Sequence, residues 1–195
     1  MKTTMASTIL LPIATVITLG VASVCAQEPV KMTFSGTAAN SIINLQQPNT
    51  SEDEDTFAGT GTLGSFTLRN VRAISNSPTS SSTCSGKNEL YFEEPAGGGV
   101  FRFGDGSLLY VHLKQGGDCI DLSTNEAHCI LTLKVIGGTG RFKNASGTLT
   151  FTETVVTVMT DALNNPVYFA ATGKLTGEVS GVREEQGEQG QGEGQ

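Results

Sequence analysis

Tryptophan is absent from the 195 residues, and all aromatic side chains together make up only 6%. Histidine occurs twice, and 12 Lys and Arg face 19 Asp and Glu, for a formal net charge of −7. An acidic chain with no Lys/Arg cluster does not attract phosphate backbones, so nucleic acid is excluded as an expected partner. Two histidines leave little material for a histidine-based metal centre. No serine stands in a nucleophile-elbow pattern, which removes the commonest hydrolase arrangement. A helical apolar stripe is missing as well, so a helix bundle is not expected. The 24 glycines, with many threonines and β-branched residues, are the composition of short strands joined by tight turns.

The longest apolar stretch runs from Ile9 to Val24, behind a basic start at Lys2 and ahead of Val24-Cys25-Ala26 and the polar Gln27-Glu28-Pro29. A charged start, an apolar centre and a small-residue cut site make a secretory signal, with cleavage expected after Ala26. The run is short for a membrane span of about 20 residues and has no basic stop beyond it. Membrane contact is therefore expected only through an uncleaved leader. Val24, branched, argues against lipidation of Cys25. The mature chain is predicted to be secreted, or periplasmic or extracellular. At the other end, Arg183 to Gln195 is almost entirely Glu, Gln and Gly, which cannot bury enough apolar area to offset chain entropy and predicts disorder. The expected division is a signal peptide over 1–26, one β-barrel domain over 27–182 and a disordered tail over 183–195.

Three cysteines remain after cleavage, Cys84, Cys119 and Cys129. An oxidising compartment predicts one pair and one leftover thiol. Cys119 and Cys129 flank a polar loop between two strand-like runs, which makes their pairing the simplest. Cys84 with Cys119 is the alternative, and spacing alone does not decide.

Apolar and polar residues alternate along most of the chain. Met32, Phe34 and Gly36 share one side of a first strand, and Phe66 and Leu68 open a run that reaches Ile74. Leu90 and Phe92 mark another strand, ended by Pro95 and a turn at Gly97-Gly98-Gly99. Phe101 and Phe103 lead to Asp105-Gly106, a hairpin signal because that pair accepts positive φ. Leu109, Val111 and Leu113 continue the pattern, followed by Leu131, Leu133 and Val135, then Leu149, Phe151 and Val155. Val167, Phe169, Ala171 and Leu175 follow Asn164-Asn165-Pro166. Ser51 to Asp55 reads as an acidic loop, and Asn76 to Ser85 as a Ser/Thr loop. Roughly eight short strands predict an all-β, single antiparallel barrel, with a sandwich as the other solution. Closure is attractive because it leaves no exposed edge.

The most informative string is Gly137-Gly138-Thr139-Gly140-Arg141-Phe142, followed by Ala145 and Gly147. Its glycines permit backbone geometry closed to other residues, and Phe142 and Ala145, three apart, lie as on one helical turn able to plug a barrel mouth. This run resembles secreted bacterial barrel proteins and, more distantly, allene oxide cyclase and the plant dirigent proteins. Thr172 to Gly177 and Gly61 to Thr67 are similar too. The resemblance implies an eight-stranded barrel whose lumen holds a small hydrophobic ligand, in some relatives to steer cyclisation or coupling of a reactive intermediate. It does not place those relatives' functional residues here, and such proteins often form homo-oligomers.

Other patterns carry less. Gly59-Thr60-Gly61-Thr62-Leu63-Gly64 matches a dinucleotide fingerprint in letters, but a strand follows where a helix is needed. His112 sits with Tyr110 and Lys114 on a solvated face. His128, Cys129 and Cys119 resemble a metal set, but a disulfide would use the same sulfurs. The acidic loop lacks the spacing of a calcium site. No metal and no cofactor are expected. Asn49 and Asn144 fit glycosylation acceptors. Glu153 is the sharpest candidate, because it shares its face with Leu149, Phe151 and Val155. A carboxylate among inward apolar groups needs a raised pKa or a cationic partner, and Arg72 is the expected partner in a lumen pair that orients a polar ligand end. An open apolar lumen would favour ligand binding or cyclase-like confinement, and a lumen filled by side chains would favour a surface or oligomerisation protein.

Overall fold

The computed structural model describes residues 27–183, so the expected leader and, apart from Arg183, the expected tail lie outside the described residues. Nine strands follow in chain order: β1 (Gln27–Asn40), β2 (Thr50–Gly61), β3 (Phe66–Ser75), β4 (Glu89–Glu93), β5 (Ala96–Phe103), β6 (Leu108–Asp121), β7 (Glu126–Gly138), β8 (Ser146–Thr160) and β9 (Pro166–Ser180). The pairings are antiparallel, β1 joins both β2 and β9, and β6 joins β7, so the ladder closes into an eight-stranded barrel with one extra strand. The extra strand is β4. It lies end to end with β5 along β6, in one shared register. Among the described residues no helix is long and apolar enough to cross a membrane.

Alternation sets what faces the lumen, since successive side chains leave a strand on opposite sides. On β8, Leu149, Phe151 and Glu153 are buried, while Thr148 and Thr150 are exposed. The middle of the lumen is filled by Phe34, Phe57 and Phe151, with ring centroids 4.7 to 6.0 Å apart. Phe66, Phe101, Phe103 and Phe142 form a second aromatic group lower down.

The lower mouth, where β2 turns into β3, β5 into β6 and β7 into β8, is plugged. Gly140–Phe142 form one 3-10 turn, and Gly140 sits at φ 57°, the left-handed region that glycine tolerates. Phe142 is wholly buried, and the Ala145 N–H donates to its carbonyl at 2.9 Å. The Arg141 guanidinium lies over the Phe103 and Phe142 rings at 5.0 and 4.6 Å, pairs with Asp105 at 3.1 Å and donates to the Leu63 carbonyl at 2.5 Å. The Gly-rich string thus seals one end of the barrel.

Two segments expected as connections are strands. Ser51 to Asp55 belongs to β2, where Asp55 alternates inward with Phe57 and is fully buried. Gly97 to Gly99 belongs to β5. Gly97 stands opposite Arg72 in the ladder, and a Cβ there would come 3.3 Å from the Arg72 side chain. Gly97 makes space for the inward Arg72 side chain, and the triplet does not turn the chain.

The disulfide also differs from the simplest expectation. Cys84 is bonded to Cys119, and Cys129 is a buried free thiol. Across β6 and β7, Cys119 stands opposite His128, and Cys129 opposite Asp118. Being one residue out of step, the two cysteines project from opposite faces of the sheet, and no small adjustment brings their sulfurs together. Cys119 faces outward, where the segment between β3 and β4 covers it. The bridge places the folded chain in an oxidising environment. The cross-link spans 35 residues of sequence, for which the chain-entropy model gives about 4 kcal/mol. Replacing both Cys84 and Cys119 by Ala is expected to lower unfolding stability by about 2–4 kcal/mol in urea titration. Peptide mapping without reductant should recover the Cys84–Cys119 pair, and a Cys119–Cys129 peptide would contradict this pairing.

Candidate functional site

In the upper half of the lumen a cross-strand row brings Asp118 (β6), Cys129 (β7) and Glu153 (β8) side by side, each opposite the next in the ladder. All three are buried. Cys129 and Glu153 are inward simply by alternation with Leu131 and Phe151. Asp118 is inward for another reason. Leu113 pairs with Leu133, but Gln115 pairs with Thr132, so β6 carries one extra residue at Lys114. Such a bulge flips the alternation beyond it. The register shared by β4 and β5 puts the Pro95 break opposite Gln115, and it flips that neighbour too. Gly116, at φ 143°, supplies the backbone of the bulge and accepts the Glu94 N–H at 3.0 Å. Together the two irregularities turn Glu94 and Asp118 into the lumen.

Arg72, from β3, is the centre of this region. Its Nε lies 2.8 Å from Asp55 Oδ2, its Nη1 2.9 Å from Glu94 Oε1 and its Nη2 3.2 Å from Glu153 Oε1. Nη2 also donates to Asp55 Oδ1 at 3.2 Å, Nη1 to the Cys129 sulfur at 3.2 Å, and Asn70 Nδ2 to Asp55 Oδ2 at 3.0 Å. The planar five-donor fork of arginine can serve three carboxylates at once, which a lysine could not.

Charge does not balance. Asp55, Glu94, Asp118 and Glu153 are buried around one guanidinium. Burial opposes the charge on Arg72, but Asp55, Glu94 and Glu153 outweigh it and hold the guanidinium protonated. The surplus carboxyls go the other way. Desolvation, only partly offset by Arg72, raises Glu153 to about 8 and raises Glu94 and Asp118 as well. Asp53, half-buried at the upper mouth, is pushed to about 7, again chiefly by desolvation. Desolvation raises the Cys129 thiol too, with Asp118 and Glu94 adding to it. Near neutral pH the site therefore holds carboxyl groups that keep their protons and can act as acids or as hydrogen-bond donors. The second oxygens of Glu94 and Glu153 are buried and have no hydrogen-bond partner.

The pair expected from sequence, Arg72 with Glu153, is brought together here, within a larger group that sequence reasoning did not assemble. Asp55 falls within the segment expected as an acidic loop, and Glu94 and Asp118 stand outside the expected pair. The other candidates are elsewhere. Gly137, Gly138, Gly140, Phe142, Ala145 and Gly147 surround the lower plug. His112 is exposed on β6. His128 faces outward, with Nδ1 3.3 Å from the Thr154 hydroxyl, so it does not meet Cys129 across the sheet.

No protein-family model matches the chain, and no curated protein sequence does. Among solved structures it is similar to two pterocarpan synthase dirigent proteins. The first is 12% identical, with 78% of this chain and 96% of that chain covered and a TM-score of 0.37. The second is 13% identical, with 78% and 88% covered and a TM-score of 0.25.

Proposed function

We propose that this chain is an exported barrel that binds a small organic molecule, with the carboxyl cluster around Arg72 holding the molecule's polar end. The observation that carries this reading is the pair of unpartnered, buried oxygens on Glu94 and Glu153 beside a guanidinium. A buried polar atom without a partner costs on the order of 1–3 kcal/mol, and titratable groups perturbed this strongly concentrate at functional sites. Unpartnered carboxyl oxygens that hold protons near neutral pH call for a ligand whose polar end can both accept and donate hydrogen bonds, such as a hydroxyl group. Its apolar part would lie against Phe34 and Phe151. Entry would be from above, past the small side chains of Ala38 and Ala171 and the half-buried Val155 and Phe169. A protonated Glu153 could also pass its proton to a reactive ligand, which is the cyclase-like form of the same proposal.

A second reading rests on a different observation. The middle and lower lumen are filled by side chains, whereas Val156, Val158, Met159, Leu163 and Tyr168 are exposed at the outer end of the β8–β9 hairpin. That combination favours a surface or oligomerisation protein. Native mass spectrometry of protein purified from its own source separates the two. A co-purifying molecule that is lost on Glu153→Gln supports the binding reading. A multimer with no adduct supports the second and overturns the first.

A further inference from the structure

We propose that Glu94, Asp118 and Cys129 form a buried site for a borderline-soft divalent cation of the zinc type. One ligand atom from each of these residues lies within 4.8 Å of the others, and all three residues are buried. The Cys129 sulfur is 3.4 Å from Glu94 Oε1. Zn–S of about 2.3 Å and Zn–O of about 2.1 Å at a tetrahedral angle predict an S···O edge of about 3.6 Å, a length within reach of donor atoms that all lie within 4.8 Å of one another. Asp118 stands opposite Cys129 in the ladder, which places a second carboxylate beside the sulfur. The independent sign of a ligand is Glu94 Oε2. It belongs to a side chain 1% exposed, it has no partner, and its sister oxygen is the one held by Arg72. A cation can therefore take Oε2 while the guanidinium keeps Oε1.

The donor set selects the metal. A thiolate with two carboxylates suits zinc, cobalt or cadmium. Calcium, by contrast, needs six or more oxygen ligands. Three protein donors leave a fourth position open, the arrangement of sites that bind a further ligand. The cation would also relieve the excess of carboxylates over the single Arg72. Cys129 must release its proton on binding, so affinity rises with pH. This inference uses the same cluster as the proposed organic ligand but does not depend on it: a metal is read by absorption, an organic adduct by mass.

The test is titration of the full chain, disulfide intact, with Co2+ at pH 8. One equivalent should bind and give the near-ultraviolet thiolate-to-cobalt charge-transfer band, which Zn2+ then displaces. Cys129→Ala should abolish the band. Glu94→Gln and Asp118→Asn should each weaken Co2+ binding by about tenfold or more, a loss already seen when groups merely supporting metal ligands are removed. If Cys129→Ala does not fold, those two variants carry the same reading. A folded wild-type chain without the band overturns the proposal, and so does a band that survives Cys129→Ala.

Discussion

Replacing Arg72 by Met is expected to be the most damaging single change in the barrel at pH 8 and far less damaging at pH 5. Arg72 is 3% exposed and faces Asp55, Glu94 and Glu153 at 2.8 to 3.2 Å. Methionine fills much of the same volume but supplies no charge and no donors. Removing one partner of a buried ion cluster costs about 3–5 kcal/mol, because the surviving charges are left uncompensated. Whole domains are stable by only about 5–15 kcal/mol, so a large part of the stability is at stake. The remaining carboxyls have one escape, which is to take up protons. At pH 5 they do so at little cost and the variant should approach wild type. At pH 8 proton uptake is expensive and the barrel should melt far earlier or fail to fold. Arg72→Lys should fall between, since it keeps the charge but loses the fork that spans three carboxylates. Thermal melts by circular dichroism at the two pH values read the effect. An Arg72→Met barrel as stable as wild type at pH 8 would mean that the guanidinium is not what holds the cluster together.

The Arg72–Glu153 pair was legible in sequence because each residue lies on a strand whose inward set is an unbroken alternation: Phe66, Leu68 and Arg72 on β3, and Leu149, Phe151 and Glu153 on β8. The barrel itself followed from repeated alternation of this kind. What escaped has a common physical cause. Glu94 and Asp118 are inward only because β4–β5 and β6 each shift phase, at Pro95 and at Lys114. Period-two reasoning carried from Leu109, Val111 and Leu113 assigns Asp118 to solvent, and carried back from Phe101 and Phe103 it does the same to Glu94, although Leu90 and Phe92 share Glu94's face. The lone signal was local: Pro95 within a strand-like run, and the paired polar residues Lys114 and Gln115 interrupting Leu109, Val111 and Leu113. Asp55 was lost differently. Five polar residues in succession read as a loop by composition, although Asp53, Asp55 and Phe57 keep the alternation. Of the two pairings left open, the simpler one failed on parity, since residues 119 and 129 look close in sequence but hairpin register puts them on opposite faces, and the alternative, Cys84 with Cys119, is the one formed.

The same charge imbalance predicts that wild-type stability falls as pH rises from about 5 to about 9, the reverse of ordinary acid denaturation. The sign follows from linkage. Glu153 has a folded pKa of about 8 against an ordinary value of 4.5, so between those values the folded chain binds a proton that the unfolded chain has released. Wherever the folded state holds more protons, stability declines with increasing pH. Its contribution is complete below the ordinary carboxylate range and is lost as pH passes through about 8. Glu94 and Asp118 act in the same direction, and the half-exposed Asp53 adds a smaller share centred near 7. Because these groups touch one another, they titrate as a set. Asp121 and Asp161 oppose the trend, their pKa values lowered by hydrogen bonds from Ser123 and Asn165. They stand at the β6–β7 and β8–β9 turns and lose their favourable ionised form only at acid pH, outside this window. Each unit of raised pKa corresponds to about 1.4 kcal/mol, so the whole set changes stability by several kcal/mol over the range. Glu153→Gln removes one titrating group and keeps its shape. That variant should match wild type near pH 5 and exceed it at pH 9, with a visibly shallower slope of melting temperature against pH. A wild-type melting temperature that is flat or climbs over this interval would show that the lumen carboxyls are ionised and paid for in some other way, and the acid character assigned to the site would fall with it.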